Sequence, residues 1–245
     1  MADELAKPGR AAGRSALELE AGPQRRARRT ERLALVLGVI AGFCDGYGVI
    51  TYGVFVSFMS GNTTQAGYQT AEGLFRPASL AALAILSFVL GSFAGTLLVQ
   101  ATGRLARRAV FGLVAAALAE VVGLTWLGAL TVGFCILIVS AAMGVLNSAF
   151  SRVGAESVSL TFVTGTLSRV GAHLALALKR APLTDAEGPW DTQLRRAMLL
   201  ARLWAGFLAG AFMSGAATPR FGFWALLGPA LALAALAAFD RPDPV

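Results

Sequence analysis

The sequence predicts an all-α polytopic membrane protein, with six transmembrane helices in two inverted three-helix repeats, each carrying one broken or re-entrant segment. Three observations lead there. Hydrophobic residues are 56% of the 245 and charged residues only 14%, well below the charged fraction of about 25% usual in soluble domains. Six apolar runs of about 20 residues each are long enough, at about 1.5 Å per residue, to cross a hydrocarbon core of about 30 Å. Finally, two Gly/Ser/Thr-interrupted stretches, one in each half of the chain, align on one another.

Residues 1–32 are rich in Ala, Gly, Arg and Glu and end in Arg25-Arg26-Ala27-Arg28-Arg29-Thr30-Glu31-Arg32. This composition reads as a disordered basic cytoplasmic tail. A cleaved signal peptide would need a short apolar core closed by a small-x-small site, and neither is present. The 21 Lys and Arg exceed the 14 Asp and Glu, for a formal charge of +7. They cluster in the tail and in the links between apolar runs, so the excess reports topology and implies no nucleic-acid partner.

The apolar runs cover 33–53, 79–101, 109–129, 131–150, 197–217 and 221–239. Two further segments, 54–71 and 158–178, are apolar but interrupted by Gly, Ser and Thr. If neither crosses, all of the 21 basic residues except Arg76 and Arg220 fall on the side of the tail. If 54–71 crossed, the Arg104, Arg107, Arg108 link would lie outside, against the positive-inside rule. The expectation is a single membrane domain over 33–240, halves 33–129 and 131–239, and a short cytoplasmic tail 241–245. Both termini are then cytoplasmic in a bacterial inner membrane.

The repeat follows from residue matching. Residues 58–67 align without a gap on 162–171, placing Ser60-Gly61-Asn62-Thr63 against Thr164-Gly165-Thr166-Leu167, and Gly42-Phe43-Cys44-Asp45 faces Gly144-Val145-Leu146-Asn147. Three spans per half force opposite orientations, the inverted repeat used by many transporters, with a site at the interface near the midplane.

Few residues carry chemistry. Asp45 lies about 13 residues into the first span, past its middle. A carboxylate at such depth costs about 2.5–3.5 kcal/mol on insertion scales, so it requires a proton, a cation, an ion-pair partner or a cap to the helix break beside it. Glu120, inside the third span, is a second carboxylate for a proton relay or for buried pairing with Arg202 or Arg169. Ser60, Gly61, Asn62 and Thr63, with Thr164, Gly165 and Thr166 and the polar Asn147, are the candidate binding groups, on the expectation that backbone breaks there aim half-helix ends at one central position. The alternative is that the hydroxyls bond back to their own helix and the glycines let helices approach. The latter is expected for the small residues at 91–95 and 206–210. His173, the only histidine, reads as a polar rim residue or a pH-sensitive group. With Cys44 and Cys135 in separate apolar runs, no zinc site is formed and no cofactor is implied.

Asp45 followed by Phe55-Val56-Ser57-Phe58-Met59-Ser60-Gly61-Asn62-Thr63 resembles the signature of the YoaK-like family of bacterial multi-pass membrane proteins, in which an Asp precedes a phenylalanine-rich stretch ending in Thr-Gly-Asn. Ser60 stands where the family has Thr, which keeps the hydroxyl. The resemblance covers about 33–240 and implies an integral inner-membrane protein, with little said of its chemistry.

The function expected is transport of a small solute or ion, proton-coupled through Asp45, by a protein whose partners are the lipid bilayer, that substrate and, as an oligomer, copies of itself. The alternatives are an intramembrane enzyme acting on a lipid-linked substrate and a non-catalytic assembly partner. Against the first, Ser60 lacks the glycine two residues earlier that a nucleophile elbow needs, and Asp45 and Glu120 are too far apart in sequence to suggest a metal pair.

Overall fold

The computed structural model describes residues 8–148, 152–153, 156–157, 163–186 and 188–240, with the backbone alone over 8–26, 152–153 and 156–157. Among these residues are eight α-helices: α1 (Pro8–Tyr52), α2 (Met59–Ala71), α3 (Phe75–Thr102), α4 (Ala106–Trp126), α5 (Val132–Ser148), α6 (Val163–Leu178), α7 (Gln193–Phe221) and α8 (Leu227–Phe239). A two-residue antiparallel pair, β1 (Arg152–Val153) with β2 (Glu156–Ser157), lies between α5 and α6.

Where a disordered tail is expected, α1 is helical from Pro8 and continues unbroken into the apolar segment. Ala, Arg and Glu are strong helix formers, and extending an existing helix requires no new nucleus. The scarcity of apolar residues that suggests disorder removes packing, not helical propensity.

Among the described residues, three helical stretches are long and apolar enough to cross a membrane: Ala27–Tyr52 (26 residues), Phe75–Trp126 (52) and Gln193–Phe239 (47). At about 1.5 Å per residue, either of the longer two exceeds twice a bilayer core of about 30 Å. Each divides at a glycine with positive φ that opens a short 3-10 segment, Gly103 between α3 and α4 and Gly222 between α7 and α8. The apolar α5 is shorter, at 17 residues. Large apolar side chains such as Phe93, Leu86, Phe212 and Leu231 face outward, which suits lipid and not water.

Two helix pairs pack at backbone distance. A Cβ at Gly42 of α1 would stand 2.0 Å from the Phe207 carbonyl oxygen of α7, and one at Gly210 would stand 2.0 Å from that of Val39. Between α3 and α5, a Cβ at Gly91 would lie 2.0 Å from the Ala141 oxygen, and one at Gly144 2.2 Å from that of Phe88. The small-residue stretches at 91–95 and 206–210 therefore serve close packing, as expected. In each pair the contact positions rise together along both helices, from Val39–Gly210 to Gly46–Ser214 and from Phe88–Gly144 to Gly95–Ser148, so α1 runs parallel to α7 and α3 parallel to α5. The main apolar core is shared by α1, α4, α5, α7 and α8, with Leu37, Phe111, Leu118, Leu146, Leu200 and Leu233 fully covered.

One end of the bundle is tied by charge. Asp240, just past α8, pairs with Arg29 of α1 (2.9 Å) and Arg107 of α4 (2.9 Å). Arg108 donates to the Ala237 and Ala238 carbonyls at 3.0 and 2.6 Å, satisfying acceptors that the end of α8 leaves open. At this end too, the buried Arg196 of α7 forks onto Asp191 at 3.1 and 2.7 Å and reaches Asp185 at 3.0 Å.

Candidate functional site

The site is built by a chain reversal. α1 ends at Tyr52, and Gly53 adopts φ +75°, the left-handed conformation that glycine takes without a Cβ penalty. Residues 54–58 then fold back onto α1, so closely that a Cβ at Gly48 would lie 2.7 Å from the Val56 side chain and 2.8 Å from the Val54 oxygen.

The reversed strand of chain is held by two side chains. Asp45, 3% exposed, accepts hydrogen bonds at Oδ1 from the backbone N–H groups of Val56 (2.9 Å), Ser57 (2.6 Å) and Phe58 (3.3 Å). Successive N–H groups aimed at one oxygen form an anion nest. Asn62 of α2 accepts from Phe55 N–H at 2.9 Å and donates to the Phe55 oxygen at 2.6 Å. The Phe55 and Phe58 rings meet edge to face, 5.3 Å between centroids, and a Cβ at Gly61 would lie within 2.7–2.9 Å of both.

The backbone break thus falls at 53–58, and the expected break through Ser60–Thr64 is corrected: these residues form the first turns of α2. The hydroxyls of Thr63 and Thr64 donate to the Met59 and Ser60 carbonyls at 2.8 and 3.1 Å. Such back-bonding satisfies a polar side chain within its own helix, so polar content at membrane depth marks no unwinding here. Ser60, Thr63 and Thr64 are exposed, and only Asn62 in α2 is buried. In the other half, Thr164, Gly165 and Thr166 likewise occupy the first turn of α6, and the expected break there falls partly on 158–162, outside the described residues.

The other Asp45 oxygen, Oδ2, is buried with no hydrogen-bond partner. The ion-pair alternative finds no Lys or Arg for Asp45 among the described residues. Instead Asp45 borders a cavity of about 370 Å³ walled by Val49 and Ile50 of α1, Phe55 and Phe58 of the reversal, Phe207 and Ala211 of α7, and Val163 at the start of α6. One carboxylate beside an apolar cavity can hold a proton or a positive charge, because a buried oxygen without a partner costs about 1–3 kcal/mol, and more if charged.

The remaining candidates lie elsewhere. Glu120 stands on the exposed face of α4 and pairs with neither Arg202 nor Arg169 among the described residues. Asn147 is half-buried at the end of α5. His173 Nδ1 lies 2.6 Å from Gln193 Oε1, a polar contact between α6 and α7 at the charged end. Cys44 and Cys135 are buried and free, and the described residues contain no group of metal-ligating side chains. Of the cavity walls, Phe55 and Phe58 are legible in the sequence as a phenylalanine-rich stretch, whereas nothing in the sequence marks Phe207 or Ala211 as facing them.

A family model described as a protein of unknown function, DUF1275, matches residues 33–239. The chain is 34% identical over 226 residues to the UPF0700 transmembrane protein RA0705 of Rhizobium meliloti (strain 1021), covering 89% of this chain and 91% of that protein. No solved structure matches. The resemblance to a family of membrane proteins holds at this level, under a designation other than YoaK-like.

Proposed function

The chain belongs to the DUF1275 family of membrane proteins, and on that premise we propose that it transports a small solute or ion of positive charge, with Asp45 as the binding and proton-exchanging group. One observation carries the reading: Asp45 borders an apolar cavity, and its Oδ2 atom is buried with no hydrogen-bond partner. The cavity joins the reversal after α1 to the start of α6, which are the two interrupted segments. A carboxylate held at a chain reversal between elements from both halves of a membrane protein suits alternating access around a central site.

The same reading takes the molecule as two inverted halves of three spans in the bacterial inner membrane, both termini cytoplasmic. Its support is the packing. The residue spacing that superposes Asp45 on Asn147 also superposes Val39 on Ala141 and Gly42 on Gly144; a second spacing superposes Phe88 on Phe207 and Gly91 on Gly210. The contacts Gly42–Phe207 and Val39–Gly210 then map onto Gly144–Phe88 and Ala141–Gly91. Even the small partners exchange: Gly46 faces Ser214, while Ser148 faces Gly95.

The test is thermal stabilisation of the purified protein by a panel of inorganic cations and small organic amines, since a ligand confined to the folded state raises apparent stability. A binding cation is expected to stabilise the native protein and not Asp45→Asn. Equal stabilisation of both proteins sinks the assignment of Asp45.

A further inference from the structure

A second cavity of about 370 Å³ opens between α1 and α7 at the charged end of the bundle, remote from Asp45. Its α1 wall presents Arg28, Arg32 and Leu35, and its α7 wall Leu199, Arg202 and Leu203. The spacings of three, four and seven residues put these on one face of each helix. Glu31 and Arg195 also border it, but they pair with each other, and Arg195 in addition stacks over the Trp190 ring at 4.3 Å.

What remains is three guanidinium groups, on Arg28, Arg32 and Arg202, that no carboxylate in the described structure engages. Their neighbours differ. Arg29, Arg107 and Arg196 are each committed to Asp240, Asp191 or Asp185, and Arg108 to carbonyls. Three like charges around one cavity repel unless an anion sits among them, and the planar guanidinium fork matches phosphate oxygens. On α1 the wall changes from arginine to leucine one turn deeper, at Leu35, which is 36% exposed, while on α7 the buried Leu199 and Leu203 flank Arg202 on either side.

We infer that this cavity binds the phosphate headgroup of an anionic phospholipid, with Arg28, Arg32 and Arg202 on the phosphate and the acyl chains following Leu35 and Leu203 down the α1–α7 seam. A free phosphate would use the arginines and leave the leucine wall without a role, whereas a membrane lipid uses both. Basic pockets between helices at the membrane surface are the expected place for such headgroups. Because the Gly42–Phe207 and Gly210–Val39 contacts lie on the same seam, the lipid clamps the two helices whose packing forms one wall of the Asp45 cavity. The site does not depend on what Asp45 does.

The test compares melting in nanodiscs of phosphatidylcholine alone with discs in which one lipid in three is phosphatidylglycerol. The native protein is expected to gain about 2–4 °C, the shift that roughly 1 kcal/mol produces in a chain of this size. Arg28→Gln/Arg32→Gln/Arg202→Gln should lose most of that gain, the corresponding triple Lys variant should keep part of it, and the remote Arg76→Gln/Arg220→Gln should keep all of it. A triple Gln variant that retains the gain overturns the site, as does a native protein with none. Should the triple variant not fold, native mass spectrometry of Arg202→Gln against native protein decides: fewer retained phosphatidylglycerol molecules support the site, and equal retention overturns it. Inorganic phosphate added to phosphatidylcholine discs gives no comparable gain if the ligand is a lipid; an equal gain means a soluble phosphoanion and overturns the lipid assignment.

Discussion

The side-chain amide of Asn62 bonds both backbone groups of Phe55, accepting from its N–H at 2.9 Å and donating to its carbonyl at 2.6 Å. One fully buried side chain thereby stands in for the strand or helix partner that residue 55 lacks. Asn62→Leu should leave a donor and an acceptor unpaired at about 1–3 kcal/mol each, and Asn62→Asp, which keeps the shape but turns a buried carboxylate oxygen towards the Phe55 carbonyl, should cost at least as much. Chemical or thermal denaturation in detergent measures both; a Leu variant as stable as the native protein means the reversal does not depend on this clamp.

Asp45 separates structural from functional demand. Asp45→Ala removes the acceptor for three N–H groups and should cost several kcal/mol, at about 1–3 per orphaned donor. Asp45→Asn retains an acceptor oxygen for the nest, so it should fold and insert with much smaller loss while abolishing proton-gradient-driven uptake in liposomes. Native-like coupled uptake by folded Asp45→Asn would remove the proton-exchange role.

Glycine substitutions test the two packed pairs. Gly42→Ala and Gly144→Ala place a methyl 2.0–2.2 Å from a facing carbonyl oxygen, a distance only helix separation relieves. Losses at the upper end of the about 1–3 kcal/mol typical of overpacking are expected for each. Gly67→Ala meets nothing within 4 Å and should be neutral or stabilising by about 0.5–1 kcal/mol, the usual helical Gly-to-Ala difference. A ranking with Gly67→Ala the worst of the three would contradict the packing.

At the charged end, Arg196→Gln takes the guanidinium fork from the buried Asp191 carboxylate, for which about 3–5 kcal/mol is the usual cost of breaking a buried pair. Asp185 is the exposed member of its pair with Arg196, so Asp185→Asn should change stability little. The Arg196 bond holds the Asp185 carboxyl below the ordinary carboxylate range. A depressed folded pKa stabilises the folded state fully above the unfolded value of about 3.9 and loses that contribution as pH falls through the folded value. The small difference in melting temperature between Asp185→Asn and the native protein should therefore stay constant between about pH 5 and 8 and narrow below about pH 4.

Topology is the remaining prediction. Cysteine labelling in intact cells should reach residues placed at Arg76 or Arg220 and spare the Arg104–Arg108 link; labelling of that link from outside would end the inverted arrangement.

Hydropathy alone located the apolar segments, because a bilayer demands about 20 apolar residues wherever a helix crosses it, and the helices α1, α3, α4, α5, α7 and α8 overlap those runs. Asp45 was legible for the same reason: a carboxylate inside such a run must be accounted for. Sequence could not locate the break, since Thr63 looks equally polar whether its hydroxyl faces a ligand or its own helix, and only the positions of the Met59 carbonyl and the folded-back N–H groups decide between them. Nor could it say that Glu120 faces outward while Asp45 faces in. Both are single acids in apolar helices, and what distinguishes them is which face each helix turns to its neighbours, a choice made by Gly42 against Phe207 and the other close contacts that form only when the helices pack.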